Sequence, residues 1–599
     1  MSDVNSTDPT SASPDDGYED ELASASLLLA EDPDAALQRA ERLLMRKRDA
    51  RAYRVAAAAF RQLGRNEDAE AAELAGIKAS TADDDLQRAA LANAEGRAIE
   101  ARDIALGFLR HSPDDLLAQT LAAEARMTTW ELEAAEEMLR AILKRAPHFL
   151  RGLTLLASCL AKQARLQDAI AVIEEVIDRK PGNVPALTQL AELSAEANDF
   201  ERAIAAQEKL VALEPTRPNR WVFLAQYYRI VGRTEDAKKA FRKALSLDPN
   251  HGSAWWGLTN YLPAELSADD LVAMRTALAQ VEGTLPAGPL HLALGLVNDR
   301  AGNYAEAFRH FVEGKRMRLS AQPYDPDHVT ADIDGIIRSS LTGAFAGRQA
   351  EGHPDSSPIF IIGMLRSGST LVERILGCHS NIEASGELPI MPRLAARLLS
   401  RDGQVVPSAD ALQSVSGDEL ASFGEAYVER SRDYRRSAKP RFTDKRNLNW
   451  LRLGLICLAL PNAKIIDVRR GALDCCWANF KMLFGEGQPA ANDLRHIGRF
   501  YRDYVRLVDA IDEAAPGRIL KMQYEDVVDD IEAKTREMLD FLGLDFEPGC
   551  IDFHLSKEAV ATASSEQVRR PLNREGIGSA EPYRQWLGPL IEELGPLAD

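Results

Sequence analysis

Residues 359–370 read Ile359-Phe360-Ile361-Ile362-Gly363-Met364-Leu365-Arg366-Ser367-Gly368-Ser369-Thr370, and from Leu371 to about Cys378 apolar side chains recur at helical spacing. A short apolar run, a glycine loop and a helix predict a strand–loop–helix unit. That geometry aims backbone N–H groups and a helix dipole at an anion. The nucleotide-binding loop G-x-x-x-x-G-K-[ST] shares the skeleton. Gly363, Gly368 and Thr370 fit it, but Ser369 stands where the lysine should be. That lysine reaches the β and γ phosphates of a triphosphate. A loop without it suits a ligand with one phosphate at that place, and Ser369 argues against a magnesium-dependent nucleotide kinase. Arg366 supplies positive charge from inside the loop instead.

Upstream the chain repeats. Pro113, Pro147, Pro181, Pro215 and Pro249 are 34 residues apart, as are Ala101, Ala135, Ala169, Ala203 and Ala237, and Ala123, Ala157, Ala191 and Ala225. Three registers sharing one period predict a helix pair per repeat. Each alanine sits where two helices approach closely, and each proline stops the second helix. Weaker units are expected at 51–80 and 288–319. The period and pattern resemble the tetratricopeptide repeat (TPR). Such units bury their faces only against neighbours, which implies a superhelix with a concave groove for a protein or peptide partner.

The 599 residues are 45% hydrophobic and 27% charged, ordinary values for globular domains. No apolar run reaches the roughly 18 residues of a membrane helix. The net charge of −19 disfavours general nucleic-acid or anionic-membrane binding, so an anionic ligand needs a local basic pocket. Six cysteines without a CxxC pair exclude a disulfide scaffold and make metal binding unexpected. Residues 1–20 hold six acids and no Lys or Arg, and read as a disordered acidic tail of a cytoplasmic protein.

Downstream of the loop, Ala463-Lys464-Ile465-Ile466-Asp467-Val468-Arg469-Arg470 predicts a strand ending in two arginines, and Gly471-Ala472-Leu473-Asp474 starts a helix. Ala384-Ser385-Gly386-Glu387-Leu388-Pro389 follows the loop helix after a short turn, so Glu387 can return toward the loop. His379, at the end of that helix, is the rival base. Lys445 stands in Phe442-Thr443-Asp444-Lys445-Arg446. Asp467 is the acid to watch as a magnesium ligand.

Together these segments resemble the sulfotransferase superfamily over roughly 358–594, above all bacterial TPR sulfotransferases and tyrosylprotein sulfotransferases. The resemblance implies transfer of a sulfonate from 3′-phosphoadenosine 5′-phosphosulfate (PAPS) to a hydroxyl acceptor, a protein tyrosine by the nearest motifs with a carbohydrate or small hydroxyl compound open, without a metal. It implies that Arg366, Ser367, Gly368, Ser369, Thr370 and Leu371 hold the 5′ phosphosulfate. Glu387, 21 residues after Arg366 as in tyrosylprotein sulfotransferases, would be the base; their motif has two adjacent glutamates, and here Gly386 takes the first place. Lys445 would stabilise the leaving group. Arg470 would hold the 3′ phosphate, but the serine that the family carries eight residues later is Ala478, leaving Asn479 as a candidate substitute. Tyr524 would contact adenine. Ser564 would bond the sulfonate bridge and Arg570 the 3′ phosphate, both in a segment similar to S-x-[DE]-Q-V-x-K-P-x-N.

The expected architecture is thus an α-helical TPR-like solenoid followed by an α/β, P-loop-like domain with a central parallel sheet. The expected boundaries are a tail at 1–20, repeats at 21–320, a linker at 321–357 and the sulfotransferase-like domain at 358–599. The alternative is a TPR interaction protein whose transferase domain has lost activity, for which Gly386 and Ala478 are the grounds.

Overall fold

The computed structural model describes residues 16–339, 347–348, 350–401, 404–405, 408–485, 487–555 and 572–599. The chain divides into two compact units, one of residues up to Pro181 with 400–404, the other of Gly182–Leu399 with Val405–Asp599. The division falls inside the repeats, away from the expected linker. Helices also extend past the expected boundaries: Asp16–Leu28 enters the tail stretch, and Pro326–Ser339 occupies part of the linker stretch.

The first unit is helical from Asp16–Leu28 to Leu166–Arg179. Four of its helices start on carboxylate caps: the side chains of Asp32, Asp49, Asp83 and Asp115 each accept a backbone N–H of the following first turn. The periodic alanines sit where helices meet: Ala101, Ala123, Ala135, Ala157 and Ala169 are fully buried. The helix Leu132–Arg145 ends one residue before the Ala146-Pro147 step, as the proline register requires.

The second unit opens with further helices, of which Gly252–Tyr261 (α1), Ala287–Arg300 (α2) and Tyr304–Ala321 (α3) matter for the site. Aromatic packing sets their spacing. A Cβ on Gly257 would lie 2.3 Å from the Phe241 ring, and one on Gly295 2.6 Å from Phe311. Among the described residues no helix is long and apolar enough to cross a membrane.

A parallel sheet follows, built of Pro358–Gly363 (β1), Ile382–Glu383 (β2), Arg441–Asp444 (β3), Lys464–Arg469 (β4) and Ile519–Gln523 (β5). Its spatial order is β2-β3-β1-β4-β5. Every residue of β1 is buried, the mark of a parallel strand covered on both faces. β1 pairs with β4 in the register Ile361↔Ile466 and Ile362↔Asp467. Ile359, Ile361, Ile466, Val468 and Met522 pack on the loop helix Ser369–Gly377 (α4) through Leu371, Val372 and Ile375. After β1 the chain turns toward β2 and β3; after β4 it turns the other way, toward β5. The carboxyl ends of β1 and β4 therefore flank a topological switch point, where open α/β sheets bind ligands.

Candidate active site

The loop after β1 has the expected geometry, and two of its residues show why. Gly363 passes so close to β4 that a Cβ there would lie 2.4 Å from the Val468 carbonyl. Gly368 caps α4 at φ 101°, and a Cβ there would lie 2.4 Å from the Tyr524 ring. Arg366 itself is held at φ 64°, a left-handed conformation uncommon outside glycine and typical of functional turns. Asn447, just past β3, braces the loop: its Nδ2 donates to the Met364 carbonyl at 2.7 Å and lies 2.9 Å from Ser369 Oγ.

Arg366, Gly368, Thr370, Leu371, Arg470 and Tyr524 converge on one cavity of about 400 Å³. Burial, and then the neighbouring Arg470, pull the Arg366 guanidinium down to about 10, so it stays charged at neutral pH. Arg470 lines the cavity beside the loop. Its Nη1 donates to the Arg366 carbonyl (3.1 Å), its Nη2 to Ser579 Oγ (3.1 Å) and the Gly576 carbonyl, and its guanidinium lies 5.7 Å from the Tyr524 ring centre. Burial raises the Tyr524 hydroxyl above its ordinary value. The neighbouring Arg469 faces elsewhere, paired with Asp467 and Asp509 at 2.7 Å each.

Ser367 and Ser369 are buried beneath the loop, outside the cavity lining. Glu387 and Lys445 also lie outside that lining but meet each other, Lys445 Nζ standing 2.7 Å from Glu387 Oε1. The ammonium is 1% exposed and the carboxylate 39%, so the acid is the member that solvent or an acceptor reaches. The Lys445 backbone N–H donates to the Gly386 carbonyl at 2.8 Å, which sews the end of β3 to the 384–388 turn. Glu373 of α4 fastens the same turn, accepting from Gly386 N (3.0 Å) and Thr443 Oγ1 (2.8 Å); burial raises its carboxyl. Gly386, at φ 75°, occupies a left-handed position that suits glycine.

Three sequence candidates are spoken for. His379 is enclosed with both ring nitrogens engaged: Nδ1 accepts from Asn381 N, and Nε2 faces the Asp545 carbonyl, each at 3.0 Å. That leaves no lone pair to take a substrate proton. Asn479 points away from the cavity, donating to the Leu365 carbonyl at 2.6 Å and the Cys475 carbonyl at 2.8 Å. It ties the loop to this helix from outside the cavity lining. Asp467 is saturated by Arg469 and the Tyr504 hydroxyl, and does not face the cavity. Ser564 and Arg570 lie outside the described residues.

The structure adds residues that sequence reasoning did not single out. Lys481, Asp299, Arg300 and Ser579 line the same cavity. Asp474, at the start of the helix Ala472–Phe480 (α5), shapes the Ser579 turn by accepting from Gly578 N and Ala580 N at 2.7 Å each. Lys481 was visible as a cation three residues after Ala478, hence on the same helical face; the others gave no local signal. Among the described residues one grouping brings metal-type donors within 4.8 Å of one another, Glu282, His291 and Glu313. It lies outside this cavity, and His291 there already bonds Glu282 and His310.

Comparison with known proteins agrees with this geometry. Residues 358–548 match the model of the Sulfotransferase family, and residues 120–184, 160–227 and 218–251 match tetratricopeptide-repeat models. An uncharacterized protein of Aquifex aeolicus (strain VF5) is 30% identical over 307 residues, covering 50% of this chain and 40% of that protein. Protein-tyrosine sulfotransferase A of Caenorhabditis elegans is 24% identical over 260 residues, covering 41% of this chain and 66% of that protein. A crystal structure of MamA aligns with 33% of the chain and 95% of its own at 16% identity, with a TM-score of 0.23, too low to carry an argument. The chain spans about two fifths of the length of the Aquifex relative, which it covers to 40%. The sulfotransferase-family match at 358–548 thus lies behind the tetratricopeptide-repeat matches in the chain.

Proposed function

We propose that this chain is a PAPS-dependent sulfotransferase whose acceptor carries a hydroxyl group, a protein tyrosine by likeness to the Caenorhabditis relative. The observation that carries the reading is the convergence of the loop residues Arg366, Gly368 and Thr370 with Arg470 and Tyr524 on one cavity at the switch point of the sheet. A loop with arginine in place of the P-loop lysine, an aromatic ring beside it and a second arginine across from it suit an adenosine carrying anions at both ends.

In this reading the donor's 5′ end rests on the loop, where first-turn amides and Arg366 face anionic oxygens. Arg470 faces the 3′ phosphate and Tyr524 the adenine. Transfer is an in-line displacement. A bond forms between the acceptor oxygen and sulfur as the bond from sulfur to the bridging oxygen breaks. Glu387 takes the acceptor proton, and the Lys445 ammonium stabilises charge that develops on the bridging oxygen only in the transition state. The 2.7 Å ion pair holds Glu387 oriented beside Lys445 until an acceptor hydroxyl enters. The transferred group bears one negative charge, so the cations of the chain suffice and no metal is assigned. The repeats recruit the acceptor or a partner protein.

Isothermal titration of the full chain with adenosine 3′,5′-bisphosphate, the desulfonated product, tests the donor site. Arg366→Ala abolishes binding in this account. Unchanged affinity in that variant refutes the role given to the loop.

A further inference from the structure

The donor cavity is not made by the transferase fold alone. Leu296, Asp299 and Arg300 lie in the last two turns of α2, and Asn260 in α1. Residues 296, 299 and 300 stand at i, i+3 and i+4, so one helical face forms this wall. Opposite them, Ala478 and Lys481 also line the cavity, three residues apart along α5 and its C-cap.

Lys481 is tightly placed. Its Nζ lies 3.0 Å from Asp299 Oδ2, while Asp299 Oδ1 accepts from the Tyr583 hydroxyl at 2.5 Å. The rings of Trp477 and Tyr583 flank the ammonium at 5.6 and 5.8 Å. An ammonium has three donors, and the Asp299 bond uses one. Arg300 has its Nη1 on the Thr259 carbonyl at 2.6 Å, and a guanidinium has five N–H donors in all.

Among the described lining residues the cations are Arg300, Arg366, Arg470 and Lys481, the acids Asp299 and Glu575. Asp299 is occupied by Lys481 and Tyr583. In a chain of net charge −19, this local excess of positive charge calls for a multiply charged anion.

We propose that the last repeat is a working wall of the donor site: Arg300, and Lys481 held in place by Asp299, join Arg470 in binding the second phosphate of a nucleoside bisphosphate. Lys481 thereby supplies the contact that Ala478 cannot make. The assignment rests on the PAPS reading above and goes beyond it, because it makes repeat residues part of donor recognition.

The test is calorimetry on the full-length chain with two ligands, adenosine 3′,5′-bisphosphate and 5′-AMP, which lacks the second phosphate. Lys481→Met weakens the bisphosphate about ten- to a hundredfold, the loss of a hydrogen bond to a charged group, and leaves 5′-AMP unchanged. Arg300→Gln shifts the same ligand in the same direction. Lys481→Arg restores most of the bisphosphate affinity. Retained 5′-AMP binding shows that a variant is folded. A purely structural Lys481–Asp299 pair would instead weaken both ligands alike, and that result overturns the proposal. If the wild-type chain binds the bisphosphate and both variants match it, this assignment fails while the PAPS reading stands. If the wild-type chain binds no bisphosphate, both fail.

Discussion

Lys445 and Glu387, 58 residues apart in sequence, meet as a 2.7 Å ion pair in which the lysine is buried and the glutamate is half open to solvent. The pairing has a structural cause. β3 delivers Lys445 to the carboxyl edge of the sheet, and the 384–388 turn is pinned to the same place by Glu373, Thr443 and the Lys445 backbone N–H. In the proposed mechanism, the acid that accepts the proton is thereby held beside the cation that stabilises the leaving group.

Glu387→Gln keeps the shape and the hydrogen-bonding reach of the side chain but cannot take a proton. Turnover falls about a hundred- to ten-thousandfold, while the affinity for adenosine 3′,5′-bisphosphate is unchanged. Steady-state rates together with calorimetry check both halves. Near-normal turnover would remove Glu387 from the base role.

Lys445→Met leaves an apolar stem in the buried site and removes the charge. The barrier rises by about 3–4 kcal/mol, read as a drop of about two to three decades in kcat with little change in KM. A KM effect alone would mark Lys445 as a binding residue.

Gly368→Ala places a methyl group 2.4 Å from the Tyr524 ring at a φ of 101° that alanine avoids. The loop and Tyr524 cannot both keep their positions. Bisphosphate binding drops by at least about tenfold, while the far-ultraviolet circular dichroism of the helical repeats is unaltered. An alanine variant that binds as tightly as wild type would mean that the loop is not gripping the ligand here.

Asp444 supplies a pH prediction. It accepts from Tyr427 Oη, Asn449 Nδ2 and the backbone N–H groups of Leu388 and Arg446, yet burial raises its carboxyl from the ordinary 3.8 to about 6. A carboxyl raised on folding makes the native state bind the proton more tightly than the unfolded chain does. Its contribution to stability therefore falls as pH rises from about 4 to about 6 and is level outside that window. Denaturant midpoints of wild type and Asp444→Asn, compared across pH 4–7, should diverge over this range, with the wild type losing ground as pH rises. Parallel curves would contradict the assignment.

Much of this architecture was legible because it is written in local chemistry. The loop from Gly363 to Thr370 declares itself through two glycines set by close approach, one to the Val468 carbonyl and one to Tyr524. The 34-residue registers of proline and alanine mark helix ends and helix contacts. A further register with the same period stayed hidden: Gly96, Trp130, Ala164, Asn198 and Gly232 all adopt positive φ at the turn between helices. Only two of the five are glycine, so tertiary packing, not residue preference, imposes the conformation. The Asp299–Lys481 pair was invisible for another reason. It joins residues 182 positions apart, and nothing near Asp299 distinguishes it from any other surface acid of a repeat helix. Asn479 stands next to Ala478 in sequence but about 100° away around the helix, and its amide bonds the Leu365 and Cys475 carbonyls.

The most direct measurement is the fate of sulfur-labelled PAPS incubated with the purified full-length chain and no added metal. The account predicts that label leaves the nucleotide, onto an acceptor or slowly onto water, as adenosine 3′,5′-bisphosphate accumulates, and that Glu387→Gln and Arg366→Ala both stop it. Intact PAPS after prolonged incubation with a hydroxyl-bearing acceptor, alongside magnesium-dependent turnover of ATP, would contradict it.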